Sequence, residues 1–347
     1  MNDYKKIFFV IVSFFLILTG CSEDETSSSG NDLTRGNESK ETFEEDQDNT
    51  EIFNVEFSGN LSLSDDENLL HIDIETNLLD GTKMVYSVQH TEFEDQSTGN
   101  IMELENNEIK EDVDISEFSN GDINIMFGMV MANQEDHILE AYGENGENLN
   151  GDFIFTENGI SGLHFEEFLR KTAPVEISGS GDTATDTFGL AEGFVVVAMN
   201  YVGDGNFVAN LTDMSGGEKL VANWIGGYDG KTLSFIDDGE YYLEVKANGD
   251  WSATLTQTIP DDVGKTPGTF EGFGDDVIFV EMTEGNKRFH FTHNGESNFT
   301  IQINDDSLIA NGIGNYEGSS TENIPEDSIY ALNVQGDGDW TIEIEDF

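Results

Sequence analysis

Apolar residues along this chain recur at every second position in short runs, with no sustained helical spacing. Phe57, Leu61 and Leu63 form one such run, Leu70, Ile72 and Ile74 the next, and Met84, Tyr86 and Val88 a third. Further on come Phe194-Val196-Ala198, Phe207-Ala209-Leu211, Leu233-Phe235 and Tyr241-Leu243-Val245. Clusters of Gly, Asn and Asp, such as Asp80-Gly81 and the stretch from Gly143 to Gly151, separate the runs. Alternation of period two between turn residues marks half-buried antiparallel strands, and a long series of them predicts sandwiches or barrels. The segment GLHFEEFLRK (162–171) fits either a last strand or a short helix and is read as a strand. The expected fold is all-β: tandem antiparallel sandwiches, immunoglobulin-like or jelly-roll-like.

The second half of the chain is duplicated. Gly181-Asp182 corresponds to Gly274-Asp275, Asn206-Phe207 to Asn298-Phe299, and Leu220, Asn223, Gly226 and Tyr228 to Leu308, Asn311, Gly314 and Tyr316. Tyr241-x-Leu243-x-Val245 corresponds to Tyr330-x-Leu332-x-Val334, each followed by Gly-Asp-Trp. Such copies are too long for solenoid units, so each is a module in itself, with seven or eight strands expected. Pro and Gly clusters in KTAPVEISGSGD and TIPDDVGKTPG place the boundaries. The expected domains are 52–172, a first sandwich; 176–257, repeat 1; and 268–347, repeat 2.

The Gly-Asp-Trp tripeptide is either a ligand platform or part of the fold. Parity favours the fold. A three-residue loop, Asn248-Gly249-Asp250, would pair Val245 with Ala253 and Leu243 with Leu255, keeping all apolar side chains on one face with Trp251. The same loop in the second copy pairs Val334 with Ile342 and Leu332 with Ile344, and places Trp340 inward. Both indoles are therefore expected in the core.

The chain starts differently. Lys5 and Lys6 precede the apolar run Ile7 to Leu18, which is followed by Thr19, Gly20 and Cys21. A charged start, a short apolar stretch and small residues describe a secretory signal peptide, and the stretch is too short to span a bilayer. From Ser22 to Thr50 there are ten acidic residues and only Leu33 and Phe43 as sizeable apolar ones. That segment cannot bury enough apolar surface to offset its ordering entropy, so residues 21–51 are expected to form a disordered tether. Cys21 is the only cysteine, so no disulfide forms within the chain.

Composition narrows the partners. With 71 Asp and Glu against 14 Lys and Arg, the formal net charge is −57. Such a surface repels nucleic acid and anionic lipid, and the carboxylates serve solvation, as on proteins working at high salt. Calcium is the competing use, since acidic turns offer oxygens, yet no EF-hand loop is written in the chain. No cofactor is expected, and Ca²⁺ stays an open alternative.

The ending LTGC resembles the lipobox of bacterial lipoproteins, which implies cleavage after Gly20 (residues 1–20 being the signal peptide), acylation of Cys21, and a place on the outer face of the cell membrane. LLDGTK and GENGENL resemble the N-terminal immunoglobulin-like module of lipoproteins from Gram-positive bacteria. The repeats, with their NF, IGxYxG and GDW signposts, resemble β-sandwich modules of secreted bacterial and archaeal proteins and are distantly similar to the pre-peptidase C-terminal domain. These resemblances imply location and architecture and transfer no catalytic residues.

Catalytic signatures are missing from the sequence. His290 and His293, three apart on a strand, face opposite sides and cannot share a metal; no His-Glu-x-x-His or Gly-x-Ser-x-Gly is present. GSGDTATDTFG lacks the Gly-Lys-Ser/Thr of a phosphate cradle and is read as a loop. The chain is therefore expected not to be an enzyme. Aromatics that differ between the copies are the candidate ligand contacts: Trp224 (Gly312 in the other copy), Tyr201 (His293) and Tyr242 (Ala331). The leading expectation is noncatalytic binding or display of an envelope polysaccharide, a peptide or a surface protein. A ligand-free stalk, or an accessory subunit of a secreted hydrolase, are the alternatives.

Overall fold

A computed structural model describes residues 52–346, which fall within one compact unit, Thr50–Phe347. The signal peptide, Cys21 and the acidic tether expected above lie outside the described residues. Among the described residues, twenty-eight strands and one short helix, α1 (Asp136–Tyr142), build three successive sandwiches.

The first sandwich holds β1 (Phe53–Asn54), β2 (Phe57–Leu63), β3 (Leu69–Thr76), β4 (Lys83–His90), β5 (Ser97–Glu103), β6 (Glu108–Asp114), β7 (Gly121–Met129), β8 (Leu149–Asn150), β9 (Ile154–Glu157) and β10 (Ile160–Lys171). One sheet runs β2-β3-β6 and the other β5-β4-β7-β10-β9, an immunoglobulin-like arrangement of three strands over a larger sheet. Period-two burial is clear in β4, where Met84, Tyr86 and Val88 point inward. The segment 162–171 is strand, as expected, and its end joins the next module. There Arg170 holds Asp122 through two hydrogen bonds of 2.7 and 3.1 Å and donates to the Glu192 carbonyl.

Repeat 1 comprises β11 (Val175–Ser180), β12 (Thr183–Ala184), β13 (Phe188–Leu190), β14 (Gly193–Val202), β15 (Asn206–Asp213), β16 (Glu218–Ile225), β17 (Tyr228–Ile236), β18 (Gly239–Lys246) and β19 (Asp250–Thr256). Repeat 2 comprises β20 (Gly264–Lys265), β21 (Gly268–Phe273), β22 (Asp276–Met282), β23 (Gly285–Asn294), β24 (Asn298–Ile303), β25 (Ser307–Ile313), β26 (Tyr316–Ile324), β27 (Ser328–Gln335) and β28 (Asp339–Asp346). In repeat 1 the sheets run β11-β19-β14-β17 and β12-β18-β15-β16, with β13 also on β18. In repeat 2 they run β21-β28-β23-β26 and β20-β22-β27-β24-β25. Apart from the short β20 and the splitting of one strand into β12 and β13, the two orders are identical. First, last, third and sixth strands form one sheet, and second, seventh, fourth and fifth the other. That is the jelly-roll order.

Two expectations are corrected here. The strands flanking Asn248-Gly249 are not a hairpin. Val245 pairs with Ala209 and Thr183, while Ala253 pairs with Met199 and Ile177, in the opposite sheet. The second copy does the same, with Val334 paired to Asp276 and Ile301 and Ile342 to Phe270 and Phe291. Parity establishes only that both strands face one core, and facing sheets satisfy it as well as one sheet does. The indoles are nonetheless inside: Trp251 is 3% and Trp340 2% exposed. The second correction concerns β14 and β17. Val195, Val197 and Met199 are the inward residues of β14, and Phe194, Val196 and Leu233 point out of the sandwich.

Candidate functional site

Those outward residues dock the two repeats. Val196 and Leu233 of repeat 1 are buried against Val277 and Ala331 of repeat 2, with Phe194 and Phe279 packed alongside at 5.4 Å between ring centroids. Strand β17 is the edge of its sheet, and an edge leaves backbone donors unpaired. Repeat 2 takes them: Lys231 N donates to the Asp275 carbonyl at 3.0 Å and Leu233 N to Asn333 Oδ1 at 3.3 Å.

Beside this contact the junction opens into a cleft of about 640 Å³. Trp224, Tyr228 and Lys231 line it from repeat 1, and Phe273, Asp275 and Asp276 from repeat 2. Trp224 is half-buried at the end of β16, 5.9 Å from the Tyr228 ring. Phe273 closes β21 with 67% of its surface exposed. Lys231 Nζ lies 3.0 Å from Asp276 Oδ1 across the junction. Beneath them Tyr228 donates its hydroxyl to Asp275 Oδ2 at 2.9 Å, and Gly336 N donates to Asp275 Oδ1 at 3.0 Å. Burial, then the charge of Asp275, pushes the Tyr228 phenol far upward. Burial also raises the Asp275 carboxyl, opposed by the Gly336 and Tyr228 hydrogen bonds. In this pair the phenol is the donor and the carboxylate the acceptor.

The three candidate aromatics have different fates. Trp224 stands in the cleft. Tyr201 borders it but is buried: the residue is 2% exposed, its ring stacks on Phe207 at 4.6 Å, and it gives its hydroxyl to Asn248. It is a core residue, and its counterpart His293 stacks on Phe299 in the same way, at 4.5 Å. Tyr242 lies on the outer face of the other sheet, opposite Thr212, away from the cleft lining. Its difference from Ala331 has a packing cause, because Ala331 must be small where repeat 1 docks.

Sequence reasoning missed Phe273, Tyr228, Asp275 and Lys231. They meet only because one repeat docks on the next, and no pattern within a single module encodes that angle. The Gly-Asp pair was visible as a repeated signpost, and Asp182 serves the fold identically, accepting Ala247 N at 2.9 Å. In repeat 2 the second carboxylate oxygen is additionally taken by the neighbouring module.

Among the described residues no group of three or more His, Cys, Asp or Glu is placed to hold a metal ion, and no helix is long and apolar enough to cross a membrane. No family model matches the chain, and no curated protein matches it. Among solved structures, the PBSX exported protein XepA is similar at 9% identity, over 49% of this chain and 84% of that one, with a TM-score of 0.19. Tripeptidyl peptidase 2 is similar at 9% identity and a TM-score of 0.20, over 84% of this chain, which spans 33% of the peptidase chain.

Proposed function

We propose that this chain is a noncatalytic binding protein of the bacterial cell surface, tethered by lipid at Cys21, which offers the cleft between its jelly rolls to an envelope polymer. The observation that supports this reading is the exposure of Phe273 in the same cleft as the half-buried Trp224. Flat aromatic surfaces stack on sugar rings, and the carboxylates nearby accept hydroxyl hydrogen bonds. The net charge of −57 selects against polyanions, so the ligand is a neutral or cationic polysaccharide.

A glycan and envelope-polymer array probed with the Thr50–Phe347 unit, with and without Ca²⁺, tests the reading. Binding by the wild type should fall about tenfold or more in Trp224→Ala and in Phe273→Ala, with unfolding temperatures unchanged. A silent array, or a Trp224→Ala variant that binds like the wild type, rejects the cleft. The tether is tested separately: Cys21→Ala should release the protein into the medium, and retention with membranes rejects the anchor. The buried docking of the two repeats favours the stalk as the second reading, because a spacer needs a fixed angle between its modules.

A further inference from the structure

At the end of repeat 2 next to the cleft, His293 is enclosed completely. Its side chain is 0% exposed, and its ring lies parallel to Phe299, 4.5 Å away at 5°. Nδ1 is 2.9 Å from the Gly314 carbonyl, an acceptor only, so this nitrogen carries a proton in every state of the ring. Nε2 makes no hydrogen bond and points at Asp337 Oδ1 from 3.5 Å. With Nδ1 protonated, a neutral ring directs the Nε2 lone pair at a carboxylate. A protonated ring directs an N–H at it instead.

The carboxylate is itself fixed. Asp337 accepts Glu296 N at 3.0 and 3.1 Å on its two oxygens and Ser297 N at 3.0 Å. Burial pulls its carboxyl upward, but these donors and His293 outweigh that and hold it below the usual range. Three connections thus meet at one ring: Gly295 to Ser297, Gly314, and Gly336-Asp337. Other ionisable groups on the surrounding elements are Tyr316, the cross-strand partner of His293, Glu296 in the β23–β24 connection, and Asp339, opposite Asn294. Strand β24 contributes only the Phe299 ring. In repeat 1 the corresponding pair is Tyr201, stacked on Phe207 in the same geometry, and Asn248, which accepts its hydroxyl; there is no imidazole.

We propose that His293 and Asp337 form a proton-dependent latch that ties the three connections together when the imidazole is charged and slackens when it is neutral. The latch abuts the cleft: Gly336, adjoining Asp337, donates to Asp275, which holds Tyr228. Its effect on a ligand therefore rests on the cleft reading, whereas the latch itself does not.

The sign follows from linkage. Only the charged ring presents an N–H to Asp337, so the latch stabilises repeat 2 in acid and that contribution is lost toward alkaline pH. Calorimetry of the Thr50–Phe347 unit at about pH 5 and about pH 8 reads this. The variants are H293Y, D337N and the double variant H293Y/D337N, which installs the repeat 1 pair. Between the two pH values the wild type should lose about 4 °C or more relative to the double variant, and coupling between the two positions should be present only in acid. An opposite slope, or none, overturns the latch. Should the variants fail to fold, ¹⁵N NMR of the wild-type imidazole decides: both nitrogens should carry protons in acid, and Nδ1 alone in base. A ring whose Nε2 stays unprotonated at about pH 5 overturns it equally. Neither readout uses a ligand, so a failed array leaves the latch standing and a failed latch leaves the cleft standing.

Discussion

Trp251 and Trp340 show how few atoms define each module. The indole N–H of Trp340 donates to the Gly274 carbonyl at 3.0 Å, and that of Trp251 to Gly181 at 3.3 Å. Gly181 and Gly274 sit at φ of 69° and 70°, where glycine turns the chain without strain. A Cβ on Gly179 or Gly272 would fall 2.5 or 2.1 Å from Cζ2 of the facing indole. The Gly-Asp and Gly-Asp-Trp signposts, at opposite ends of each module in sequence, are thus one constellation in space. Trp340→Phe should cost about 1–3 kcal/mol, since it leaves a buried carbonyl unpaired as well as a smaller ring. Gly272→Ala should cost a similar amount by overpacking, while Trp224→Ala should leave stability within about 0.5 kcal/mol. Chemical denaturation measures all three, and a Trp340→Phe variant as stable as the wild type would contradict the role given to the indole nitrogen. The burial of both rings was legible in the sequence because parity is a property of one strand. Their hydrogen bonds were not, because the acceptor lies some seventy residues upstream.

For the elements, what the sequence conveys depends on how local the information is. Strands, turns and the duplication could be read from alternation and glycine. The assignment of strands to sheets could not: β18 and β19 are consecutive, and both face inward, yet they belong to different sheets. In β14 both faces are apolar, Val195 and Val197 on one and Phe194 and Val196 on the other. Alternation alone cannot say which set is the core. The second copy holds the answer in hindsight, because there the places of Phe194 and Val196 are taken by Asn286 and Arg288, while the inward Phe289 and Phe291 stay apolar. Comparing copies position by position therefore exposes the contact face, with one exception: Lys287, in the place of the inward Val195, is itself only 3% exposed and donates to Thr283 and Asp346. It also explains why the candidate site was only partly visible: Trp224 differed between copies, but Phe273 enters the cleft through docking.

At the scale of the molecule, the docked faces act as plug and socket. The plug is Val196 and Leu233; the socket is Val277 and Ala331. Ala331→Arg places a charged chain where the plug seats and should cost at least about 2 kcal/mol. Calorimetry should then resolve separate melting of the repeats where the wild type melts them together. A single unchanged transition would mean that the modules are coupled elsewhere, and would weaken the stalk reading too.

A contact between two unlike faces of one fold is heterologous, and heterologous contacts add units without limit unless something stops them. Here both unused faces are disarmed. Repeat 2 carries Asn286, Arg288 and Thr321 where a second plug would be, and repeat 1 carries Tyr242 and Glu244 where a second socket would be, its strand broken into β12 and β13. Molecules crowded side by side can therefore slide past one another rather than thread into filaments.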